Sequence, residues 1–212
     1  MKVFSCIIAL LIAAVLFGCP TMRSKHLARP EVFKVDGDYT HAASGMTFPP
    51  RVGSFKRNNL IRYDTENLDM SAGYDLVTVA GTVAATIYVY PAPSLIFIGS
   101  PPNVVAAARD LSAQNEFNAR KREIMHFRPG VILIQERKVS LQQGTATYLG
   151  RMATFEYEEV FTGQRQLLRS HLYLFCFVGD KWVIKYRFTH PRFFDATKEL
   201  DEFMKNLSWT LI

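Results

Sequence analysis

The chain has 212 residues, of which 49% are hydrophobic and 21% are charged, and its formal net charge is +6. This composition is typical of a globular protein and excludes fibrous, low-complexity and multi-pass membrane classes. The length suits one domain with an appendage or two small domains, and the modest positive charge disfavours a cationic partner.

The first residues have the pattern of an export signal. Lys2 is basic, and the stretch from Val3 to Phe17 is almost wholly apolar. About fifteen helical residues span only ~22 Å, which is less than the ~30 Å hydrocarbon core of a bilayer. We therefore expect a signal peptide over residues 1–18.

The apolar stretch ends at Leu16-Phe17-Gly18-Cys19, which resembles the lipobox of bacterial lipoproteins, with Phe17 in place of the usual small residue. The resemblance implies that Cys19 is acylated and becomes the first residue of a protein held in the cell envelope by lipid, with its domain outside the cytoplasm. An ordinary cleaved signal and an uncleaved anchor helix are the alternatives.

The three cysteines agree with this interpretation. Cys6 lies in the signal peptide and Cys19 would carry lipid, so Cys176 has no partner for an internal disulfide. Because Cys176 lies in an apolar strand, we expect it to behave as a small hydrophobic residue and not as a nucleophile.

The segment that follows the anchor divides into a tether and a domain. Residues 19–45 show no sustained period and carry basic residues early, so we expect a lipidated N-terminus and a tether. Residues 46–212 are expected to form a single domain.

Within the domain, patterning predicts strands, a helical region, more strands and a final helix. Residues 55–63 form a polar-rich strand candidate, and alternation predicts a strand over 81–90. Ser100 before Pro101 predicts the start of a helix that extends to about Phe127, with a bend or a break near 112–116 where the apolar stripe shifts. Further strands are expected over 131–141, 145–161, 165–178 and 181–189, with turns at 143–144, 162–163 and 179–180. Asp195 is the expected cap of the last helix, whose apolar stripe is Leu200, Phe203, Met204 and Leu207.

This order predicts an α+β domain with helices packed on a largely antiparallel sheet. The strand over 167–177 is apolar on both sides, so we expect cover on both faces of the sheet. The closing strand-then-helix unit at 182–209 resembles the PsbP/Mog1-like α/β/α sandwich. The stretches at 48–57 and 85–91 look like those of uncharacterised exported bacterial proteins.

Motifs of known chemistry are absent from the sequence. It has no glycine-rich nucleotide loop, no hydrolase nucleophile elbow and no zinc-protease helix. Its five histidines have no metal-ligand spacing, so we expect no metal and no cofactor. Export and the lack of an aromatic RNA-binding signature disfavour a nucleic-acid partner.

Counting residue pairs outward from the hairpin turns predicts one cluster of polar residues. A two-residue turn at 162–163 places Glu156 opposite Arg169, with His190 on the far side of Arg169 and His171 one row inward, beside Thr154. A two-residue turn at 179–180 lines one face with pairs: Phe177 with Trp182, Phe175 with Ile184, Tyr173 with Tyr186 and His171 with Phe188. The polar row is either the mouth of an apolar ligand groove or a cross-strand ion pair that closes the edge of the core.

These observations favour a non-enzymatic, lipid-anchored envelope protein that binds or supports another envelope component, with the membrane reached through its lipid. The alternative is a binder of a small apolar or anionic ligand that uses the aromatic sheet face, with Glu156, Arg169, His171 and His190 as candidate binding residues. A hydrolase that uses Glu156 and His190 as acid and base is a third hypothesis.

Overall fold

The computed structural model describes residues 26–209. The signal peptide, the lipobox and Cys19 lie outside the described residues. The strands are β1 (His26–Phe33), β2 (Tyr39–Thr40), β3 (Thr47–Phe48), β4 (Arg51–Val52), β5 (Phe55–Asp64), β6 (Met70–Thr78), β7 (Gly81–Pro91), β8 (Ile132–Gln143), β9 (Ala146–Phe161), β10 (Gln164–Val178) and β11 (Trp182–Pro191). The helices are α1 (Pro102–Phe127) and α2 (Thr197–Asn206).

One large antiparallel sheet organises these elements. Its order is β1-β5-β6-β7-β11-β10-β9-β8, with β4 paired to β5, while β2 and β3 form a separate pair. The predicted α+β class with a largely antiparallel sheet is confirmed. The predicted strands correspond to β5 and β7 to β11, and β8 to β11 form the expected meander.

The two helices pack on opposite faces of this sheet. On one face, Phe203 of α2 joins a cluster with Tyr186 and Phe188. On the other face, Phe117 and Ile124 of α1 pack with residues of β9 to β11: Ala153, Phe155, Tyr157, Leu168, Leu172, Leu174 and Val183. Alternate residues of β10 belong to the two clusters, so the expected cover on both faces is confirmed. Within residues 26–209, neither helix has both the length and the apolar character needed to cross a membrane.

The segment assigned to the tether is folded wherever the structure describes it. β1 pairs with β5 along one edge of the sheet, and His41 and Ser44 are fully buried, joined by a 2.7 Å hydrogen bond between Nδ1 and Oγ. The domain therefore begins by His26 and not at Met46. The cause is long-range pairing with β5, which leaves no local period in the sequence.

Helix α1 differs from its prediction. It is one continuous helix, which excludes a break near 112–116, and its N-cap is Pro101 and not Ser100. Val104 and Leu111 are exposed, whereas Phe117 and Ile124 are buried. The apolar stripe shifts because only the second half of α1 packs on the sheet. In α2, the apolar stripe is buried as expected, but the N-cap is Ala196 and not Asp195. The Asp195 carboxylate, one residue earlier, accepts hydrogen bonds from the backbone N–H and hydroxyl of Thr197.

The tip of the β10–β11 hairpin also differs from its prediction. Trp182 pairs with Val178 and not with Phe177, so the loop has one residue more than expected. Phe177 has a φ of 59° and bulges out of the strand, where the Arg109 guanidinium lies 5.4 Å from its ring centroid. The bulge offsets the longer loop, so the pairs from Phe175–Ile184 onward have the predicted register.

Candidate functional site

The structure brings together the polar row that the sequence predicts. Glu156 pairs with Arg169 and Arg169 with His190 in adjacent strands. Arg169 donates from Nε and Nη2 to Glu156 Oε1, at 3.1 and 2.7 Å. The other carboxylate oxygen is 3.1 Å from Nε of Arg192, which the sequence analysis did not single out. Glu156 is buried and both of its oxygens are held by guanidinium groups.

His171 and His190 form a directional hydrogen-bonded pair beside this ion pair. Their Nε2 atoms are 3.1 Å apart. His190 Nδ1 lies 2.9 Å from the carbonyl oxygen of Pro191, which can only accept, so we assign the proton of neutral His190 to Nδ1. His171 then donates from Nε2 to His190 and accepts from the hydroxyl of Thr154, 3.1 Å from its Nδ1.

Both imidazoles are held in the neutral form. Burial, then the proximity of His190 and Arg169, lowers the pKa of His171 to about 3. Burial is also the main cause that lowers the pKa of His190. Every polar atom of the pair has a partner, and the Glu156 carboxylate has two cations, so the cluster has the character of a structural network that closes one end of the core.

The aromatic face next to this row is packed. Tyr186 and Phe188 are fully buried beneath Phe203 of α2, and the indole of Trp209 donates a 2.6 Å hydrogen bond to the Tyr186 hydroxyl. These rings are part of the main core cluster. The face therefore contributes to stability, and the row of polar residues borders packed side chains.

A groove runs along the other face of the sheet, between α1 and strands β5, β7 and β11. It consists of two hollows of about 450 Å³ and 320 Å³ that share the lining residues Tyr63, Tyr88, Arg120, Glu123 and Lys185. We call it the α1 groove. Its size is in the range of small-molecule sites.

Lys185 lies on the floor of the α1 groove. Its ammonium lies over the ring of Tyr88, 3.6 Å from the centroid, and Tyr88 is its partner in the β7–β11 register. Among residues 26–209, no carboxylate lies within the 4.0 Å ion-pair distance of this ammonium. Burial, followed by repulsion from Arg120, lowers the pKa of Lys185 to about 8. A cation of lowered pKa in an open groove is typical of functional sites.

The first hollow has an acidic character. Asp69 and Glu116 line this hollow but not the second. Burial is the main cause that raises the pKa of Asp69 to about 6, against the opposing effect of Lys185. Glu116 is occupied, because Oε1 accepts from the Tyr90 hydroxyl at 2.8 Å and lies 3.0 Å from Arg120 Nε. Among the described residues, Asp69 forms no ion pair within 4.0 Å.

The second hollow has a basic character. Arg128 and Arg187 line this hollow but not the first. Arg128 is 3.3 Å from the Glu159 carboxylate. Arg187 donates from Nε to the Ser170 hydroxyl at 2.8 Å, while its Nη2 is buried without a hydrogen-bond partner among residues 26–209. The groove is therefore polarised along its length.

Sequence reasoning missed the α1 groove. The sequence pattern that indicates it is the spacing of two residues between Tyr88 and Tyr90 in β7 and between Lys185 and Arg187 in β11. Such i, i+2 spacing places like side chains on one face of a strand. Only the pairing of β7 with β11 and the position of α1 join the two patterns.

No group of three or more potential ligand side chains in residues 26–209 could hold a metal ion. Cys176 is half-buried, and burial raises the pKa of its thiol to about 12, so it does not have the character of a nucleophile.

Comparison of the chain with protein-family models, with curated proteins and with solved structures finds no match.

Proposed function

We propose that the protein is a non-enzymatic lipoprotein of the bacterial cell envelope, anchored through Cys19, whose domain binds or supports another envelope component. The apolar N-terminal stretch that ends in the lipobox pattern supports the anchor. The membrane is the first partner in this proposal, reached through the lipid.

The α1 groove is the observation that carries the binding role. It combines a suitable volume with an ammonium on its floor that has no carboxylate partner among residues 26–209. Burying a charge without a partner costs free energy, and a ligand that supplies the missing counter-charge would recover it. The second candidate function, capture of a small anionic ligand, is favoured by Lys185 and Arg187 of the same groove.

The absence of catalysis is part of the proposal. Glu156, the carboxylate of the hydrolase hypothesis, is held by Arg169 and Arg192, and a general base needs a free oxygen within reach of its proton. His190 donates to its own chain and accepts from His171, so neither group is directed at a substrate.

The finer fold is also a proposal. We propose that the domain is related to the PsbP/Mog1-like sandwiches. Support comes from the layering of α1, sheet and α2, and from the closing unit of β11 followed by α2.

Cys19→Ala tests the anchor. In cells fed an alkyne-tagged fatty acid, the wild-type protein should carry the label and sediment with membranes, whereas the variant should lose the label and be released or misprocessed. Cys176→Ala is the matched control and should label like the wild type. Full labelling of the Cys19 variant would remove the anchor from the proposal.

Photo-crosslinking tests the groove. A photo-crosslinking amino acid at Phe127, which is 71% exposed and lines the second hollow, should give a discrete adduct in intact envelopes. The control is the same amino acid at Val79, an exposed residue in the turn between β6 and β7 that lines neither hollow. The adduct should disappear in the Lys185→Met background and persist with Lys181→Met. Equal adducts at both positions would place binding outside the groove.

A further inference from the structure

The charges that line the α1 groove fall into matched and unmatched sets. Arg120 is neutralised by two carboxylates, with Nε 3.0 Å from Glu116 and Nη1 3.0 Å from Glu123. These three residues form part of the α1 wall and need no further counter-charge. Lys185 and Asp69 differ, because neither has an ion-pair partner among the described residues.

The unmatched charges are ordered along the groove. Asp69 lies at the end with the 450 Å³ hollow, and Arg187 at the end with the 320 Å³ hollow. Lys185 lines both hollows and stands between them. A molecule that lies along the groove therefore meets the Asp69 carboxylate at one end, the Lys185 ammonium in the middle and the Arg187 guanidinium at the other end.

We propose that the α1 groove binds a phosphorylated amino alcohol, with its phosphate toward Lys185 and Arg187 and its amine toward Asp69. This inference rests on the proposed function, which makes the groove the binding site. A phosphate has the charge and the number of acceptors to meet two cations at once. The amine supplies a cation at ion-pair distance from Asp69, which the more distant charges of Lys185, His26 and Arg120 only partly offset.

The energetics of the unoccupied groove support this ligand. Burial moves the pKa of Lys185 down and the pKa of Asp69 up, so both charged forms are held at a cost. A ligand with only one charge relieves one of these costs and adds a repulsive contact with the other group. A zwitterion relieves both. The face of Tyr88 beneath the ammonium keeps the cation in place before the ligand arrives.

Calorimetric titration of the full chain, purified in detergent, tests the ligand class with three soluble probes. O-phosphoethanolamine should bind about tenfold or more tightly than glycerol 3-phosphate, which lacks the amine, and than ethanolamine, which lacks the phosphate. Equal affinities for the three probes, or no binding of any, would overturn the proposal.

Two variants assign the two ends of the ligand. Asp69→Asn should lower the affinity for O-phosphoethanolamine to that for glycerol 3-phosphate, while the unchanged binding of glycerol 3-phosphate shows that the variant is folded. Lys185→Met should weaken both phosphate probes, and Lys181→Met, an exposed lysine outside both hollows, should weaken neither. An Asp69→Asn variant with unaltered preference for the amine would contradict the assignment.

The same chemistry occurs in a soluble metabolite and in a lipid headgroup, and vesicles distinguish them. The Cys19→Ser full chain should bind vesicles of phosphatidylethanolamine, and not of phosphatidylglycerol, if the source is a headgroup. It should bind neither vesicle if the source is the soluble molecule. One outcome separates this proposal from the proposed function. If the wild-type chain binds none of the three probes but Lys185→Met still abolishes the Phe127 crosslink, the zwitterionic ligand is wrong and the groove remains the binding site.

Discussion

Glu156→Gln separates a structural role of the polar row from a binding role. The carboxylate accepts hydrogen bonds from Arg169 on one oxygen and lies 3.1 Å from Arg192 Nε on the other. A glutamine amide keeps one acceptor, but its NH₂ group would face a guanidinium donor. Hydrogen bonds to charged groups are worth roughly 1.5–3 kcal/mol each. The Arg169 and Arg192 side chains are 34% and 52% exposed, so water recovers part of the loss.

We therefore expect Glu156→Gln to lower the free energy of unfolding by about 2–3 kcal/mol, measured by urea denaturation at pH 7. The matched control is Glu158→Gln in the same strand. Its side chain is 59% exposed and lies 3.7 Å from Arg165, so its loss should cost less than about 0.5 kcal/mol. Equal costs for the two variants would refute the structural role. A stable Glu156→Gln protein that fails to bind its partner would make the row a binding site.

Three further outcomes follow from the packing and the pKa directions. Lys185→Met should raise the free energy of unfolding by about 1–2 kcal/mol at pH 6–7, measured by urea unfolding. Because the pKa of Lys185 is about 8 in the folded protein against an ordinary value of 10.5, this gain should shrink as the pH rises from 8 to 10.5. Cys176 should resist maleimide at pH 7 and react on unfolding, because its pKa is about 12, with mass spectrometry as the readout. Gly150→Ala should cost at least about 2 kcal/mol in thermal unfolding, since its Cβ would lie 2.5 Å from the Phe175 ring and 2.7 Å from the Leu174 carbonyl oxygen.

The polar row could be predicted from the sequence because short turns fix the register of a meander. Thr162 and Gly163 both adopt positive φ, as a two-residue hairpin turn requires, and Glu156 then faces Arg169. The prediction failed at the tip of the β10–β11 hairpin, where a bulge at Phe177 and a longer loop compensate each other. The turn expected at 143–144 lies one residue later, because Gln143 pairs with Ala146. Counting from a turn gives the register of a hairpin but not the residues that leave the strand.

The α1 groove could not be predicted in this way. Lys185 faces Tyr88 because β11 pairs with β7, and α1 and three strands separate these two strands in the chain. No hairpin turn joins β7 to β11, so the residue pairs between them cannot be counted from the sequence. The strand β6 was missed for a related reason, since its Ser71, Ala72 and Gly73 have weak strand preferences and are buried by their neighbours.

If Cys19 carries lipid as proposed, the position of β1 limits the distance between the groove and the membrane. His26 begins β1 and also lines the first hollow. Cys19 precedes it by seven residues, a stretch of chain that spans at most about 25 Å. With Cys19 acylated as proposed, the acidic end of the groove stays within that distance of the lipid headgroups, in a thin layer above the bilayer. The groove would then reach ligands at the membrane surface and not those farther from it.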